Sequence, residues 1–215
     1  MKRNRCKKIA AALLCMVMGC TTLGQGFSAA AADATTSEEE VEINFAKALQ
    51  MSLYFYDANK CGSGITGGNL EWRGDCHTED AAVPLKPMGE DYKGTNLSQE
   101  FIDAHRDILD PDGDGTIDVS GGMHDAGDHV KFCLPGSYAA STLGWGYYEF
   151  RDAYVDSGQQ WHIEDILHWF NDYYLKCTYF DENGDILAFC YQVGEGDIDH
   201  NYWNAPELQN ESLLD

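Results

Sequence analysis

Positive charge is scarce in this sequence of 215 residues, which has 14 Lys and Arg against 36 Asp and Glu and a formal net charge of −22. Five of those cations stand within the first eight residues, and the other nine against 36 acids leave a net charge of −27 for the rest of the chain. A surface this acidic repels nucleic acid and anionic membranes, so neither is expected as a partner. A neutral polymer is unaffected by this charge.

The sequence also lacks an apolar run long enough to span a bilayer comfortably. Its N-terminal apolar stretch, residues 9–17, follows the cluster of cations and is soon interrupted by glycine and threonine. Small residues at 28–32 complete the order that is typical of a secretory signal peptide. We therefore predict a signal peptide at residues 1–32 and a secreted, extracellular protein. A membrane anchor and a lipoprotein lipidated at Cys20 are the alternatives.

The cysteines show no pairing pattern. Three of the eight stand in the leader, and five follow it: Cys61, Cys76, Cys133, Cys177 and Cys190. An odd number argues against a disulfide framework. No pair has the spacing of zinc ligands, so the sequence predicts no structural zinc site. A single bridge between Cys61 and Cys76 is conceivable, but no pattern establishes it.

Three segments carry the hydrophobic pattern of helices. Residues 43–56 and 137–154 are apolar on nearly every side, which predicts helices that are buried on most sides. Apolar residues within 163–177 follow the spacing of one helical face. Long loops between the helices, such as residues 59–100, favour an inner and an outer layer of helices over a four-helix bundle. The sequence therefore predicts an all-α fold of the α/α toroid type.

The helical region is preceded by a segment rich in Ser, Thr and Glu, residues 33–42, which is typical of a disordered acidic linker. The folded domain is expected to cover residues 43–215. Within it, Asn183-Gly184 marks a turn, and residues 186–193 are a strand candidate beside that turn.

The segment at residues 121–135 reads GGMHDAGDHVKFCLP and places Asp125 and Asp128 three residues apart. The small residues between them allow a turn that points both carboxylates at one cavity. One carboxylate can then accept a proton from an attacking water while the other orients that water. For an isolated pair of this spacing, an acidic turn or a cation site is the more ordinary interpretation.

This segment closely resembles the signature of glycoside hydrolase family 9. Four further blocks are similar to that family in the same order: residues 44–56, 72–75 (Trp-Arg-Gly-Asp), 148–152 (Tyr-Glu-Phe-Arg-Asp) and 191–200 (Tyr-Gln-Val-Gly-Glu-Gly-Asp-Ile-Asp-His). The resemblance implies the N-terminal portion of an (α/α)6 barrel. It also implies an endoglucanase-type enzyme that hydrolyses β-1,4-glucosidic bonds in cellulose or related β-glucans with inversion of the anomeric configuration.

Residue by residue, the resemblance implies that Asp128 is the general base and that Asp125 helps to hold the nucleophilic water. It also implies that His200 contacts sugar in the cleft and that Trp203 offers a stacking face. A structural histidine and a core tryptophan are the alternatives for the last two. The chemistry requires no cofactor.

Two departures from the family pattern affect this interpretation. Met123 stands at a position that is usually aromatic-adjacent in the family, which bears on packing rather than on chemistry. The family's general acid is a Glu in an Asn-Glu step near the end of a longer domain, and Asn210-Glu211 has that order of residues in the wrong place. We therefore expect this chain alone to be inactive or nearly so. Arg73 and Asp75 are expected to form a structural ion pair near the cleft.

Upstream of the aspartate pair, residues 110–118 read D-x-D-x-D-G-x-x-D. This pattern places acids at positions 1, 3, 5 and 9 of a calcium loop with glycine at position 6, and these acids are Asp110, Asp112, Asp114 and Asp118. Position 12 is Gly121 rather than Glu, so the EF-hand is incomplete. A structural calcium ion and an acidic turn without an ion are both compatible with the sequence.

The main rival function is a non-catalytic calcium- or carbohydrate-binding module, including the dockerin type that anchors to cohesin. Dockerin-type modules carry two calcium loops within a short span, whereas this sequence has one. A sugar-binding protein descended from the enzyme is the other alternative. Accessory carbohydrate-binding or dockerin modules would lie outside this chain.

Overall fold

Three long helices pack together in the computed structural model, which describes residues 43–209. The helices within this range are α1 (Phe45–Asn59), α2 (Gln99–Ala104), α3 (Arg106–Leu109), α4 (Cys133–Glu149), α5 (Arg151–Asp156) and α6 (Gln160–Lys176). The predicted signal peptide, the predicted linker and Asn210-Glu211 lie outside the described residues. Among residues 43–209, no helix is long and apolar enough to cross a membrane.

The core lies where α6 meets α1 and α4. The apolar face predicted from the spacing in α6 is buried, and Ile163, Ile166 and Phe170 are each at most 3% exposed. These side chains belong to one cluster with Leu53 of α1 and with Met123 from the loop before α4. Met123 therefore fills part of the core, a place that suits a flexible thioether side chain.

The outward sides of α1 and α4 are exposed, which corrects the prediction that both helices are buried on most sides. Tyr138, Trp145 and Tyr148 of α4 are 73, 70 and 80% exposed, and Phe45 and Phe55 of α1 are also exposed. No other element within residues 43–209 packs over these rings. An apolar side of a helix indicates that another segment packs against it, but the sequence pattern does not show which segment that is.

The predicted helix at residues 137–154 is two helices. The first begins earlier, at Cys133, and ends at Glu149, and the second starts at Arg151. Phe150 between them has backbone angles of φ −121° and ψ 33°, which lie outside the helical range. The described residues are rich in helix, in agreement with the predicted class, but they do not form a closed barrel.

Short antiparallel strand pairs connect the loops. Within residues 43–209 the pairs are β1 (Val83–Pro84) with β2 (Thr116–Ile117), β3 (Lys131–Phe132) with β6 (Gln192–Val193), and β4 (Thr178–Phe180) with β5 (Ile186–Phe189). The predicted strand at residues 186–193 is thus divided between β5 and β6. The pairing of β3 with β6 brings the segment after residue 193 beside the loop that carries the two aspartates.

Candidate active site

The loop that carries Asp125 and Asp128 is held by hydrogen bonds from several elements. The carbonyl of Gly122 accepts one from the backbone N–H of Cys61 (3.0 Å) and one from Nε1 of Trp169 (2.7 Å). Gly122 has a φ of 74°, and a Cβ atom there would lie 2.7 Å from the ring of Tyr173. Only glycine therefore fits at this position.

Lys131 lies beneath the same loop and fixes its first half. Its ammonium donates to the carbonyl oxygens of Val119 (2.8 Å) and Gly121 (3.1 Å) and pairs with Asp80 at 2.7 Å. Burial lowers the pKa of Lys131, but nearby Cys61 and Asp80 outweigh that effect and raise the pKa above its usual value. The side chain is therefore charged although it is 2% exposed.

The two aspartates differ in their surroundings. Asp128 is 1% exposed, its Oδ1 accepts the backbone N–H of Ala126 (3.2 Å), and its Oδ2 lies 2.9 Å from Nδ1 of His200. Asp125 lies at the surface. Partial burial of its carboxyl group and the neighbouring charge of Asp128 raise the pKa of Asp125, while His200 opposes them. The structure thus places a fixed carboxylate next to an accessible one.

His200 and Trp203 lie over this pair because their segment is fastened to His129. The Nε2 atom of His129 is 3.1 Å from the carbonyl oxygen of Asn204, and its Nδ1 atom contacts the side-chain oxygen of Gln209. The ring of Trp203 covers Gly127, where a Cβ atom would approach to within 2.7 Å. The other parts of that ring are open, because Trp203 is 65% exposed.

A cavity of about 540 Å³ lies beside the aspartate pair rather than over it. Its walls include His129, Asp199 and the aromatic rings of Tyr92, Tyr179 and Tyr191. None of the four predicted catalytic and sugar-binding residues lines it. Three of these four residues are exposed and lie instead at an open surface beside the cavity.

A cluster of two cysteines and two histidines lies directly behind the aspartate loop. The donor atoms of Cys61, Cys76, His77 and His124 all lie within 4.8 Å of one another. Both cysteines are free and buried, so they are not joined by the bridge that the sequence left conceivable. Backbone hydrogen bonds between Gly62 and Cys76, at 3.0 and 3.1 Å, bring the two thiols together.

These four side chains fit a zinc ion. Two sulfur and two imidazole ligands form a common tetrahedral zinc site, with neighbouring ligand atoms roughly 3.3–3.8 Å apart for the usual bond lengths. Nδ1 of His77 and Nε2 of His124 are buried without a hydrogen-bond partner among the described residues. His77 also has a left-handed backbone, with φ 47°. The prediction of no structural zinc site considered only spacing along the sequence, whereas the fold brings these four candidate ligands together from distant positions.

The acidic loop brings three of its four predicted ligands together. Carboxylate oxygens of Asp110, Asp112 and Asp114 lie within 4.8 Å of one another. Asp118 lies outside this group, where it accepts a hydrogen bond from Oγ of Ser120 (2.6 Å) and pairs with Lys176 at 3.1 Å.

Arg73 does not pair with Asp75, which corrects another prediction. Its Nε lies 2.7 Å from Glu207, and its Nη2 donates to the carbonyl oxygen of Lys60 at 2.9 Å. The carboxylate of Asp75 instead accepts backbone N–H groups at the turn that begins at Ile65. Glu207 reaches Arg73 because the 3₁₀ helix Pro206–Leu208 lies beside it, a long-range contact that has no local signal.

The sequence model of the family described as Glycosyl hydrolase family 9 matches residues 45–213, which are most of the chain. The chain belongs to glycoside hydrolase family 9. The resemblance found in the sequence is therefore confirmed, and the matched region of this family 9 chain includes both aspartates, His200 and Trp203.

Relatives of the family 9 chain are similar to it over part of their own length. Endoglucanase A of Bacillus pumilus is 32% identical over 176 residues, which are 82% of this chain and 21% of that enzyme. The catalytic domain of Clostridium thermocellum CelT is 57% identical with a TM-score of 0.73, over 78% of this chain and 33% of that one. The cellulase Cel9M of C. cellulolyticum in complex with cellobiose is 36% identical with a TM-score of 0.55, over 78 and 31%. The chain thus spans about a fifth of the first and a third of the other two.

Lys131 and His129 of the family 9 chain hold the aspartate loop and the segment of Trp203 through contacts that the sequence did not reveal. Both stand inside the Asp-His-Val-Lys-Phe string, next to the residues that were predicted. One signal in the sequence could have revealed Lys131, because it stands between apolar residues and a buried lysine is rarely found without a partner. Its partner, Asp80, is far away along the chain, so the pairing could not be predicted.

Proposed function

We propose that the complete enzyme hydrolyses β-1,4-glucosidic bonds of cellulose or a related β-glucan with inversion. The observation that carries this proposal is the pairing of fixed Asp128 with accessible Asp125 beneath His200 and the open ring of Trp203. Such a pair suits a single displacement in which one carboxylate activates water. Membership of a family whose relatives include endoglucanases supports the choice of substrate.

In this proposal Asp128 accepts the proton of the attacking water, and Asp125 accepts a hydrogen bond from the second hydrogen and so orients that water. Among residues 43–209, each oxygen of Asp128 has one hydrogen-bond partner, which leaves a second lone pair on each for water. The water enters beside His200, whose side chain is 55% exposed. His200 orients the carboxylate and contacts sugar, and the exposed ring of Trp203 stacks on a sugar face.

We further propose that the general acid comes from outside this chain. An inverting enzyme places its acid about 6.5–9.5 Å from the base, on the opposite side of the scissile bond. The aligned region covers 33% of the CelT catalytic domain, which supports the interpretation of this chain as a portion of an (α/α)6 barrel, and we propose that it is the N-terminal portion. The chain would then supply the base side of the site and would be inactive alone. We propose secretion for the protein, in keeping with its leader sequence.

The test of this function is the anomer of the first product. A polypeptide extended to the full length of the relatives' domain is expected to release reducing ends from a soluble β-1,4-glucan, and proton NMR in the first minutes should show the inverted anomer. A retained anomer would contradict the proposed mechanism. Binding of the glucan without hydrolysis would favour the sugar-binding alternative, and equal activity of the 215-residue chain would contradict the external acid.

A further inference from the structure

Three cysteines that take no part in the proposed hydrolysis meet where the β4–β5 hairpin packs against the start of α4. Cys177 and Cys133 are 0 and 4% exposed and belong to one buried cluster, and Cys190 packs against that cluster. The thiol of Cys177 interacts with the thiols of the other two residues. All three cysteines are free. Thiols in contact with one another can exchange with a disulfide, which is a chemistry that ordinary apolar side chains lack.

The arrangement of the three thiols fits a bond between two of them better than a metal site. Sulfur ligands of one zinc ion lie about 3.8 Å from one another. In the part of the chain that the structure describes, these three cysteines are not a group whose sulfur atoms all lie within 4.8 Å of one another. Cys177 contacts each of the other two, so the thiols are arranged for pairing.

Cys177 and Cys190 are opposite residues of the β4–β5 hairpin. Thr178 pairs with Phe189 in that hairpin, and the two cysteines are the next pair along it. The backbone N–H of Cys190 donates to the carbonyl oxygen of Cys177 at 2.8 Å. Opposite residues project their side chains from the same face, with Cα atoms about 4.5–5.5 Å apart. This separation lies within the roughly 4.4–6.8 Å that a disulfide requires.

Cys133 is less suited to be the partner of Cys177. Its backbone N–H donates to the carbonyl oxygen of Tyr191 at 2.9 Å, so it stands opposite a tyrosine rather than a cysteine. Its Sγ donates to the carbonyl oxygen of Cys190 at 3.2 Å. The thiol of Cys133 is thus directed at the backbone of the hairpin, whereas Cys177 and Cys190 are matched in register.

Cys190 is the member of the pair that a reagent can reach. It is partly exposed and lines the cavity of about 540 Å³ beside the aspartate pair, whereas Cys177 and Cys133 do not line that cavity. A hydrogen bond with the thiol of Cys177 lowers the pKa of Cys190 and outweighs the opposing effect of burial. The thiolate is the reactive form of cysteine. The accessible thiol of the pair is therefore the one whose surroundings favour reaction.

We propose that Cys190 and Cys177 form a disulfide by exchange with a low-molecular-weight disulfide that enters the cavity. The thiolate of Cys190 attacks one sulfur of this reagent, which forms a mixed disulfide and releases one thiolate. Cys177 then loses its proton and attacks Sγ of Cys190, which releases the second thiolate. The two cysteines are oxidised, the reagent is reduced to two thiols, and the two protons lost by the cysteines protonate those thiols.

The bond would close the β4–β5 hairpin covalently and hold its end at the start of β6. In the chain-entropy model, a cross-link that closes a loop of about 15 residues raises the ratio of folded to unfolded chains by about 100-fold. Residues 177–190 form a loop of this size class. Oxidation is therefore expected to stabilise the fold, and it is measurable without any glycosidase assay.

The experiment starts from the reduced 215-residue chain, which is incubated with oxidised glutathione, alkylated at its remaining thiols and cleaved at aspartates. Asp181 and Asp185 lie between the two cysteines, so cleavage separates Cys177 from Cys190 unless a disulfide joins them. We expect mass spectrometry to find the two peptides linked and to lose the link after reduction. The melting temperature of the oxidised chain should exceed that of the reduced chain.

Cys177→Ser is the diagnostic variant because it removes only the thiol that completes the exchange. We expect it to keep one glutathione on Cys190 as a mixed disulfide. Cys133→Ser is the matched control, and it should form the same linked peptides as the parent. In the parent, a Cys190 that is still alkylated after the oxidant, a lasting mixed disulfide on Cys190, or a link between Cys177 and Cys133 would overturn the proposal. These outcomes are measured on the parent, so they do not depend on whether a variant folds.

Discussion

Asp128→Asn, in a polypeptide extended to the full domain length of the relatives, is expected to lower kcat by about 10²- to 10⁴-fold, the usual contribution of a positioned general base. Asparagine keeps the size of the side chain and can accept the backbone N–H of Ala126, but it cannot take up the proton of the attacking water. KM should change little, because sugar affinity comes from stacking and hydroxyl contacts elsewhere. Reducing-end release from a soluble β-1,4-glucan measures both constants.

Asp125→Asn is the matched control in the same loop, with the same change of charge. We expect a smaller loss of kcat, because the water keeps its base and loses only one orienting acceptor. Circular dichroism of both variants establishes that they are folded. The burial of Asp128 and the exposure of Asp125 make this comparison informative. A larger loss in Asp125→Asn would exchange the two roles, and a full-rate Asp128→Asn would exclude it as the base.

We expect the cluster of Cys61, Cys76, His77 and His124 to bind zinc, and removal of that ion to unfold at least the loop that carries Asp125 and Asp128. Structural zinc contributes apparent binding energies of about 10–16 kcal/mol in zinc-finger peptides, as large as the whole stability of an ordinary domain. Without the ion, the buried ring nitrogens of His77 and His124 have no partner. The purified chain should contain about one zinc per molecule by elemental analysis.

The zinc prediction is tested with a zinc-selective chelator. Chelation should lower the urea midpoint, and Cys76→Ser should show the lower midpoint before any chelator is added. Cys190→Ser is the control, because Cys190 lies outside the cluster. A zinc-free chain with an unchanged midpoint, together with a stable Cys76→Ser, would show that the four residues are a structural cluster without a metal.

The part of this molecule that could be predicted from the sequence is the part encoded locally. The buried face of α6 follows from the spacing of Ile163, Ile166 and Phe170. Residues three or four positions apart lie on the same side of a helix. Asp125 and Asp128 stand three residues apart, so the short loop alone brings them together. Each of these features depends on residues within a few positions of one another.

The features that escaped prediction depend on contacts between distant segments. The cluster of two cysteines and two histidines is formed by residues 61, 76, 77 and 124. These residues come together because Gly62 pairs with Cys76 and Lys60 pairs with Met123 through their backbones. Arg73 finds Glu207 rather than its near neighbour Asp75 for the same reason. The fold determines which acidic residue pairs with a buried arginine, and the periodicity of the sequence does not predict that pairing.

The uncovered aromatic side of α4 also has a consequence for biosynthesis. If this chain forms the N-terminal third of its domain, as proposed above, these helices leave the ribosome first, and the remaining two-thirds follow over tens of seconds at about 5–20 residues per second. During that interval Tyr138, Trp145 and Tyr148 would be accessible on a nascent chain whose core can already form. That order of synthesis would create a period in which this side of α4 can bind chaperones or cause misassembly between neighbouring nascent chains.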